Sequence, residues 1–176
     1  DPTCTGPKFE VGLRKWKARI ENDQCYQDTV TPEYNVTIMG DFNISIDDPD
    51  QTSDPSDYYD RKDTIPFAAA IRDDCYDPLD KDADNVDVTF YAEGPIVEGC
   101  TEIESPVTGY FKCDWYSINA SKGWYNATAN VSAPNYYTKL ERRYNETLGG
   151  WFYINTKPIL SMGNVTPRSE SWTYPH

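Results

Sequence analysis

The stretch that decides the fold class spans residues 34–46 and reads YNVTIMGDFNISI. Apolar and polar side chains alternate along it. The apolar set is Val36, Ile38, Phe42, Ile44 and Ile46, and the polar set is Asn35, Thr37, Asp41, Asn43 and Ser45. A period of two is typical of a β-strand with one face buried and the other in water. The stretch therefore predicts a half-buried strand.

Further strands are predicted on the C-terminal side of this stretch. Residues 86–91, 107–117 and 124–132 repeat the alternation, and the apolar segment 65–71, IPFAAAI, is typical of a strand buried on both faces. Residues 151–155, WFYIN, predict one more strand. The richness in tyrosine, with 14 Tyr in the chain, also favours strands over helices.

Two other segments carry helical spacing. Residues 8–20 alternate as a strand does, but Leu13, Trp16 and Ile20 also fit a helical stripe, so both interpretations stay open. Residues 133–148 predict a helix because apolar side chains recur at helical spacing before two glycines that would end it. These positions are Tyr137, Leu140, Tyr144 and Leu148, followed by Gly149 and Gly150.

The order of these segments predicts the fold class. Short strands separated by turn-rich acidic segments indicate a mainly β chain: a disulfide-bonded antiparallel β-sandwich or barrel with at most one or two short helices. We assign residues 1–155 to this domain. Residues 156–176 contain three prolines and little periodicity, which predicts an extended C-terminal arm or tail.

The cysteines predict an oxidising compartment. There are five: Cys4, Cys25, Cys75, Cys100 and Cys113. No C-x-x-C pair occurs and the only histidine is His176, so we interpret them as disulfide candidates rather than zinc ligands. Cys100 and Cys113 would close a small loop, which stabilises a fold by about 3 kcal/mol. The odd count leaves one thiol either buried and inert or bonded to another chain.

N-glycosylation sequons are strongly enriched. Seven of the 11 asparagines stand in N-x-S/T, whereas the 26 Ser and Thr among 176 residues would place about 1.6 there by chance. The seven are Asn35, Asn43, Asn119, Asn126, Asn130, Asn145 and Asn164. In 34–46 and 124–132 they fall on the polar face of the predicted strand, where a glycan would meet solvent. We therefore predict a secreted, extracellular glycoprotein with N-linked glycans.

The charge and the hydropathy exclude several partners. A net charge of −13 repels nucleic acid and anionic membranes, because counterion release rewards basic surfaces. No stretch approaches the 18 apolar residues of a membrane-spanning helix, so we expect neither nucleic-acid binding nor membrane insertion.

Catalytic signatures are missing from the sequence. The single, terminal His176 makes a Ser-His-Asp or Cys-His arrangement implausible, and no glycine-rich phosphate loop occurs. No pair of carboxylates stands out among the 29 acids as a glycosidase site. We therefore predict no enzymatic activity and no required cofactor.

One acidic loop has calcium-like spacing. Residues 80–87, DKDADNVD, place Asp80, Asp82, Asp84 and Asp87 at intervals that wrap oxygen ligands around Ca²⁺. It is not an EF-hand, since Asn85 replaces the turn glycine and Tyr91 stands where a glutamate is needed. A looser Ca²⁺ loop and a solvated acidic loop both remain open.

Two classes of function fit these features. We expect a structural glycoprotein, a subunit of an extracellular coat, matrix or fibril, because sequons in both halves leave little surface for a large partner. Its arm, 156–176, would add a strand to a neighbouring copy, so that subunits assemble head-to-tail. The alternative is a soluble secreted binding protein or effector that recognises a host molecule or small ligand in an apolar pocket. A fragment of a viral envelope glycoprotein is a further alternative.

Overall fold

Strands dominate the computed structural model, which describes Cys4 and residues 11–52, 58–101, 103–104 and 107–157. The strands are β1 (Gly12–Trp16), β2 (Arg19–Ile20), β3 (Thr29–Val30), β4 (Tyr34–Ile38), β5 (Phe42–Asp48), β6 (Tyr59–Asp60), β7 (Thr64–Asp73), β8 (Asp87–Glu93), β9 (Val97–Thr101), β10 (Ile103–Glu104), β11 (Tyr110–Tyr116), β12 (Gly123–Ser132), β13 (Lys139–Arg143) and β14 (Phe152–Asn155). In these residues the one helix is α1 (Lys81–Asp84). The predicted mainly β class is confirmed.

Two sheets form the body of the protein. The first has the order β10-β11-β7-β5, and the second has the order β6-β14-β12-β8-β9, with β13 also paired to β12. Their ladders are antiparallel except for the two-residue pairing of β6 with β14. The second sheet therefore departs from the predicted antiparallel pattern at its β6 edge.

The hydrophobic core lies between these two sheets, and aromatic rings fill much of it. Phe67 of β7 meets Phe90 of β8 at 5.9 Å and Phe152 of β14 at 6.1 Å between ring centroids. Trp115 of β11 reaches Tyr125 of β12 at 5.9 Å. The first sheet thus packs on the second through rings, and the central β7 is buried on both faces from Phe67 to Ala69, as its apolar segment predicts.

The predicted helix at 133–148 is wrong, because the middle of this segment is strand β13. β13 pairs with β12 from Ala127↔Arg143 to Val131↔Lys139. Three of the apolar side chains that suggested a helical stripe are exposed: Tyr137, Leu140 and Tyr144. They gain no core contact that would favour a helix, whereas the long β12 edge offers backbone hydrogen bonds to a strand. Tertiary pairing thus overrides the local spacing.

The single strand predicted over 34–46 is also wrong, because the structure divides it into β4 and β5. β5 has the expected alternation, with Phe42 and Ile46 buried and Asn43 and Ser45 exposed. β4 pairs instead with β1 away from the core, and its first four residues are exposed. The ambiguous segment 8–20 supplies the strands β1 and β2.

Strands β1 to β4, residues 12–38, form a two-stranded ribbon, and no residue from 13 to 38 in it is buried. The ribbon joins the body at Gly40, whose N–H donates to the Asn135 carbonyl at 2.9 Å. A Cβ on Gly40 would stand 2.6 Å from the Tyr136 ring, so the residue must be glycine for this close approach. Tyr136 in turn stacks on Phe42 at 4.8 Å. The base of the ribbon is therefore fixed to the core.

Candidate interaction surface

One face of the ribbon gathers exposed apolar side chains. In the β1–β4 register Trp16 lies opposite Tyr34 and Arg14 lies opposite Val36, and all four share a face. The Trp16 and Tyr34 rings stack at 5.3 Å, yet the two residues are 51% and 48% exposed. We call Trp16, Tyr34 and Val36 the apolar face. Exposure of this face is unusual, because a two-stranded ribbon is only marginally stable in water unless a third strand or a helix packs against it.

The opposite face of the ribbon bears a sequon and is more polar, although it also exposes Leu13. Lys15 lies opposite Asn35 in the register, and its ammonium pairs with the Glu33 carboxylate at 2.7 Å. Asn35 is exposed. A glycan on Asn35 would project away from the apolar face and leave that face open.

Charge is segregated along the ribbon. Its four cations lie within residues 14–19, and its four acids lie within residues 21–33. The cations are Arg14, Lys15, Lys17 and Arg19, and the acids are Glu21, Asp23, Asp28 and Glu33. Since they balance, the rest of the chain carries the whole net charge of −13. The ribbon is thus a neutral, dipolar element on an acidic protein.

The cysteines form two disulfides and leave one free thiol among the five. Cys4 bonds to Cys75, and Cys100 bonds to Cys113, as the sequence spacing of the second pair predicts. Cys25 is free and lies exposed near the tip of the ribbon, so a buried inert thiol is excluded. Asp23 accepts hydrogen bonds from the backbone of Cys25 and Tyr26, and thereby holds the tip in a turn.

The sequons lie on both the ribbon and the body. Asn35, Asn43 and Asn119 are exposed, and Asn126, Asn130 and Asn145 are half-buried. The Asn145 side-chain oxygen accepts from the N–H groups of Thr147 and Leu148, at 3.0 and 3.2 Å. Asn164 lies outside the described residues. Occupancy of all seven sites stays a prediction.

The outer face of β12 is more enclosed than its alternation suggests. Thr128, which the pattern places with the solvent-facing residues, is fully buried. Arg142 lies beside Thr128 and Glu93 lies beside Asn126, and their 2.6 Å ion pair crosses this face of the strand. The Asn126 side-chain oxygen is buried there without a hydrogen-bond partner.

The acidic loop 80–87 uses two of its carboxylates to organise its own backbone. Asp80 caps helix α1 by accepting from Asp82 N and Ala83 N, both at 2.9 Å. Asp84 accepts from Asp80 N at 2.7 Å, while Asp82 and Asp87 are exposed. Capping thus explains part of the acidic spacing without a metal. Binding of Ca²⁺ by these four residues stays a prediction.

The described residues bring three potential metal ligands together at one other place. Asp73, Asp74 and Cys75 offer atoms within 4.8 Å of one another. The Cys75 sulfur is bonded to Cys4, however, and Asp73 accepts from Cys75 N and Asp77 N at 2.8 and 2.9 Å. This cluster is a turn that holds the disulfide, and we assign it no metal.

Surface grooves lie at both the ribbon and the C-terminal exit of the body. One of about 270 Å³ is lined by charged residues: Asp60, Arg61, Lys62, Asp63 and Lys157. Lys157 pairs with Asp60 across it, and this pairing raises the pKa of Lys157. A mainly apolar groove lies on the ribbon between β2 and β3, beside Ile20 and Val30. The apolar groove and the apolar face therefore belong to the same element.

The alternation in residues 34–38 is the same as that of a half-buried strand, so the sequence pattern could not reveal the ribbon's exposure. The basic block in 14–19 is the one signal that sets this segment apart.

No family model matches the chain, and no curated protein matches it either. Within the described residues, no helix has the length and apolarity to cross a membrane. The two disulfides are consistent with an extracellular protein.

Proposed function

We propose that this chain is a secreted, N-glycosylated structural protein, a self-associating subunit of an extracellular coat, matrix or fibril. The observation that carries the proposal is the ribbon, whose apolar side chains and strand edges face solvent outside the core. A monomer gains nothing from exposing such an element, whereas an assembly buries it. We propose no catalytic role for the chain.

Two sides of the body sheets are already in use, which favours assembly through the ribbon and the arm. The chain passes from β9 in the second sheet to β10 in the first, and thereby joins the two at one side. At the other side, Lys139 donates to the Phe42 carbonyl at 2.6 Å and Arg143 donates to the Ile46 carbonyl at 3.2 Å. These two side chains therefore use hydrogen-bond acceptors on the outer edge of β5. In the described part of the chain, β1 and β4 have each other as their one strand partner.

The C-terminal arm is the proposed donor strand. The body ends with β14 at Asn155, and Lys157 is still held by its pair with Asp60. Residues beyond 157 lie outside the described part. Pro158 and Pro167 bound the stretch that can pair, because proline cannot donate to a ladder. We propose that this stretch adds to an open strand edge of the next copy. Such a head-to-tail contact continues into a filament if its rotation does not close.

Deletion of residues 158–176 tests this function, since it removes the arm and keeps the Lys157–Asp60 pair. The full chain from a eukaryotic secretory host should form polymers in light scattering, and the truncated chain should give smaller particles with the same near-UV circular dichroism. Leu160→Pro, which removes a donor inside the pairing stretch, should also block polymers. Its matched control is Ser169→Pro, outside the stretch.

Polymers that persist after the deletion would contradict strand addition by the arm. A full chain that is monomeric in its native setting would contradict assembly altogether. The alternative function, a soluble secreted binding protein or effector that recognises a host molecule, would then take its place, with the ribbon as the recognition element.

A further inference from the structure

We propose that the ribbon binds the ribbon of a second copy, apolar face to apolar face, with the two ribbons antiparallel about a two-fold axis. This contact is separate from the head-to-tail contact of the arm, and it joins copies in pairs. The partner that covers the apolar face is therefore the same ribbon of a second copy. Four features of the ribbon support the proposal.

The first feature is the composition of the apolar face. Trp16, Tyr34 and Val36 are 51%, 48% and 43% exposed and contiguous in the register. A few residues near the centre of a protein interface supply most of its binding free energy, and Trp and Tyr are enriched among them. A second ribbon on this face would also provide the layer that a two-stranded ribbon lacks in water.

The second feature is charge complementarity of the ribbon with itself. The cations occupy residues 14–19, near the base and middle, and three of the four acids occupy residues 21–28 at the tip. In an antiparallel pair the basic part of each ribbon lies beside the acidic tip of the other. A two-fold axis forms this favourable contact twice. A parallel pair would place cations beside cations and tip beside tip.

The third feature is the charge of the body. The chain outside each ribbon carries a net charge of −13, while the ribbon is neutral. The strand path from Gly12 to Ile20 spans roughly 27 Å at about 3.4 Å per residue. Antiparallel ribbons hold the two bodies at opposite ends of this length, beyond the Debye length of about 8 Å at physiological salt. Repulsion between the bodies is then screened, which would not hold for bodies side by side.

The fourth feature is the position of the sequon. Asn35 lies on the face opposite Trp16 and Tyr34, so a glycan there does not enter the contact. The body surface, by contrast, carries exposed sequons at Asn43 and Asn119. The apolar face is therefore an exposed apolar patch that glycans leave accessible.

The charge arrangement gives a complementation test in the glycosylated full-length chain that also carries Leu160→Pro, so that polymers formed by the arm do not mask the dimer. The variant Arg14→Glu/Lys17→Glu changes a cation on the apolar face and leaves the Lys15–Glu33 pair intact, and it should self-associate at least about tenfold more weakly than the same chain without these changes in sedimentation equilibrium. The variant Glu21→Lys at the acidic tip should be weakened similarly. An equimolar mixture of the two should regain dimers, since the acids of one then face the cations of the other. Lys112→Glu/Lys122→Glu, which makes the same charge change at exposed body positions, is the matched control and should behave as the chain without these changes.

The apolar contact is tested by Trp16→Ser, with Tyr116→Ser as its control, because both aromatic residues are 51% exposed and Tyr116 lies on the body. The first change should abolish dimers and the second should not. A chain lacking residues 158–176 should still dimerise through the ribbon, so failure of the arm and failure of the ribbon give different results.

Any of four results would overturn the proposal. Dimers that survive Trp16→Ser, or charge variants that do not complement each other, would place the contact elsewhere. Association that disappears in Cys25→Ser or under reduction would show a tip-to-tip disulfide, which the antiparallel arrangement does not allow. A wild-type chain that stays monomeric, and whose binding to a second protein or to lipid vesicles requires Trp16, would assign the face to that other occupant.

Discussion

Cys100 on β9 and Cys113 on β11 are bonded to each other across the boundary between the two sheets, with their Cα atoms 6.2 Å apart. The bond lies where the chain turns from β9 into β10, and Cys113 is buried in the core. It therefore fixes one closed side of the sandwich.

Removal of this disulfide should destabilise the protein. Cys100→Ala/Cys113→Ala frees a loop with a sequence separation of 13, and we expect a loss of about 3 kcal/mol in the free energy of unfolding. Urea denaturation at neutral pH measures it. Cys25→Ala is the control, since this thiol is free and exposed. A double variant as stable as the wild type would show that the bond closes a side that is already held by packing.

Loss of the Tyr125 hydroxyl should lower the free energy of unfolding more than loss of the hydroxyl of an exposed tyrosine. The Tyr125 hydroxyl donates to the Ser121 carbonyl and accepts from the Ser121 N–H, both at 3.0 Å, from a fully buried ring. This resembles a tyrosine corner, which fastens the preceding loop to its strand. Tyr125→Phe should cost about 1 kcal/mol of unfolding free energy. Tyr116→Phe at an exposed ring should cost nothing measurable, and equal losses in the two variants would contradict this role.

Asp48 predicts a pH dependence of stability. Burial, followed by the negative charges of Asp50 and Asp47, raises the pKa of Asp48 above 3.8 in the folded state. The folded state therefore binds this proton more tightly than the unfolded chain does. The resulting stabilisation is full below the unfolded pKa and is lost as the pH rises through the folded pKa.

Asp48→Asn should accordingly raise the melting temperature at pH 7, and its advantage should vanish as the pH falls below about 4. Thermal unfolding across this pH range checks the prediction. Asp114→Asn, at an exposed position of β11, is the matched control. A variant that is less stable than the wild type at pH 7 would show that the ionised Asp48 is instead favoured in the fold.

Glycosylation should be extensive. We expect glycans on at least five of the seven sequons, because of their enrichment and the exposure of Asn35, Asn43 and Asn119. Intact mass before and after enzymatic deglycosylation counts the occupied sites, and peptide mapping locates them. Two or fewer occupied sites in protein from its native source would remove the basis for a secreted glycoprotein.

Calcium binding by residues 80–87 has a direct test. If Asp82 and Asp87 ligate Ca²⁺ beside the capping Asp80 and Asp84, added Ca²⁺ should raise the melting temperature of the wild type by mass action. Asp82→Asn/Asp87→Gln should lose this response and keep the cap, while Asp114→Asn should retain it. A melting temperature that chelator leaves unchanged at physiological ionic strength would identify a solvated acidic loop.

The alternation of side chains was enough to predict most strands of the body. β5, β7, β8, β11, β12 and β14 follow from their own patterns because burial of one face, or of both in β7, selects the side chains at each position. The Cys100–Cys113 bond followed from a short separation. The sequons and the charge balance are likewise properties of the chain alone, and they motivate the proposed secretion.

The tertiary structure decided whether the apolar face of each strand packs against the core or lies in solvent. Val36 and Phe42 belong to one alternating stretch, yet Val36 lies exposed on the ribbon and Phe42 lies in the core. The helical spacing of Tyr137 and Leu140 likewise gave way to pairing with the β12 edge. The alternation shows only which side chains share the apolar face of a strand and which share its polar face. It carries no information on whether a second layer is present, because that layer comes from residues distant in the sequence.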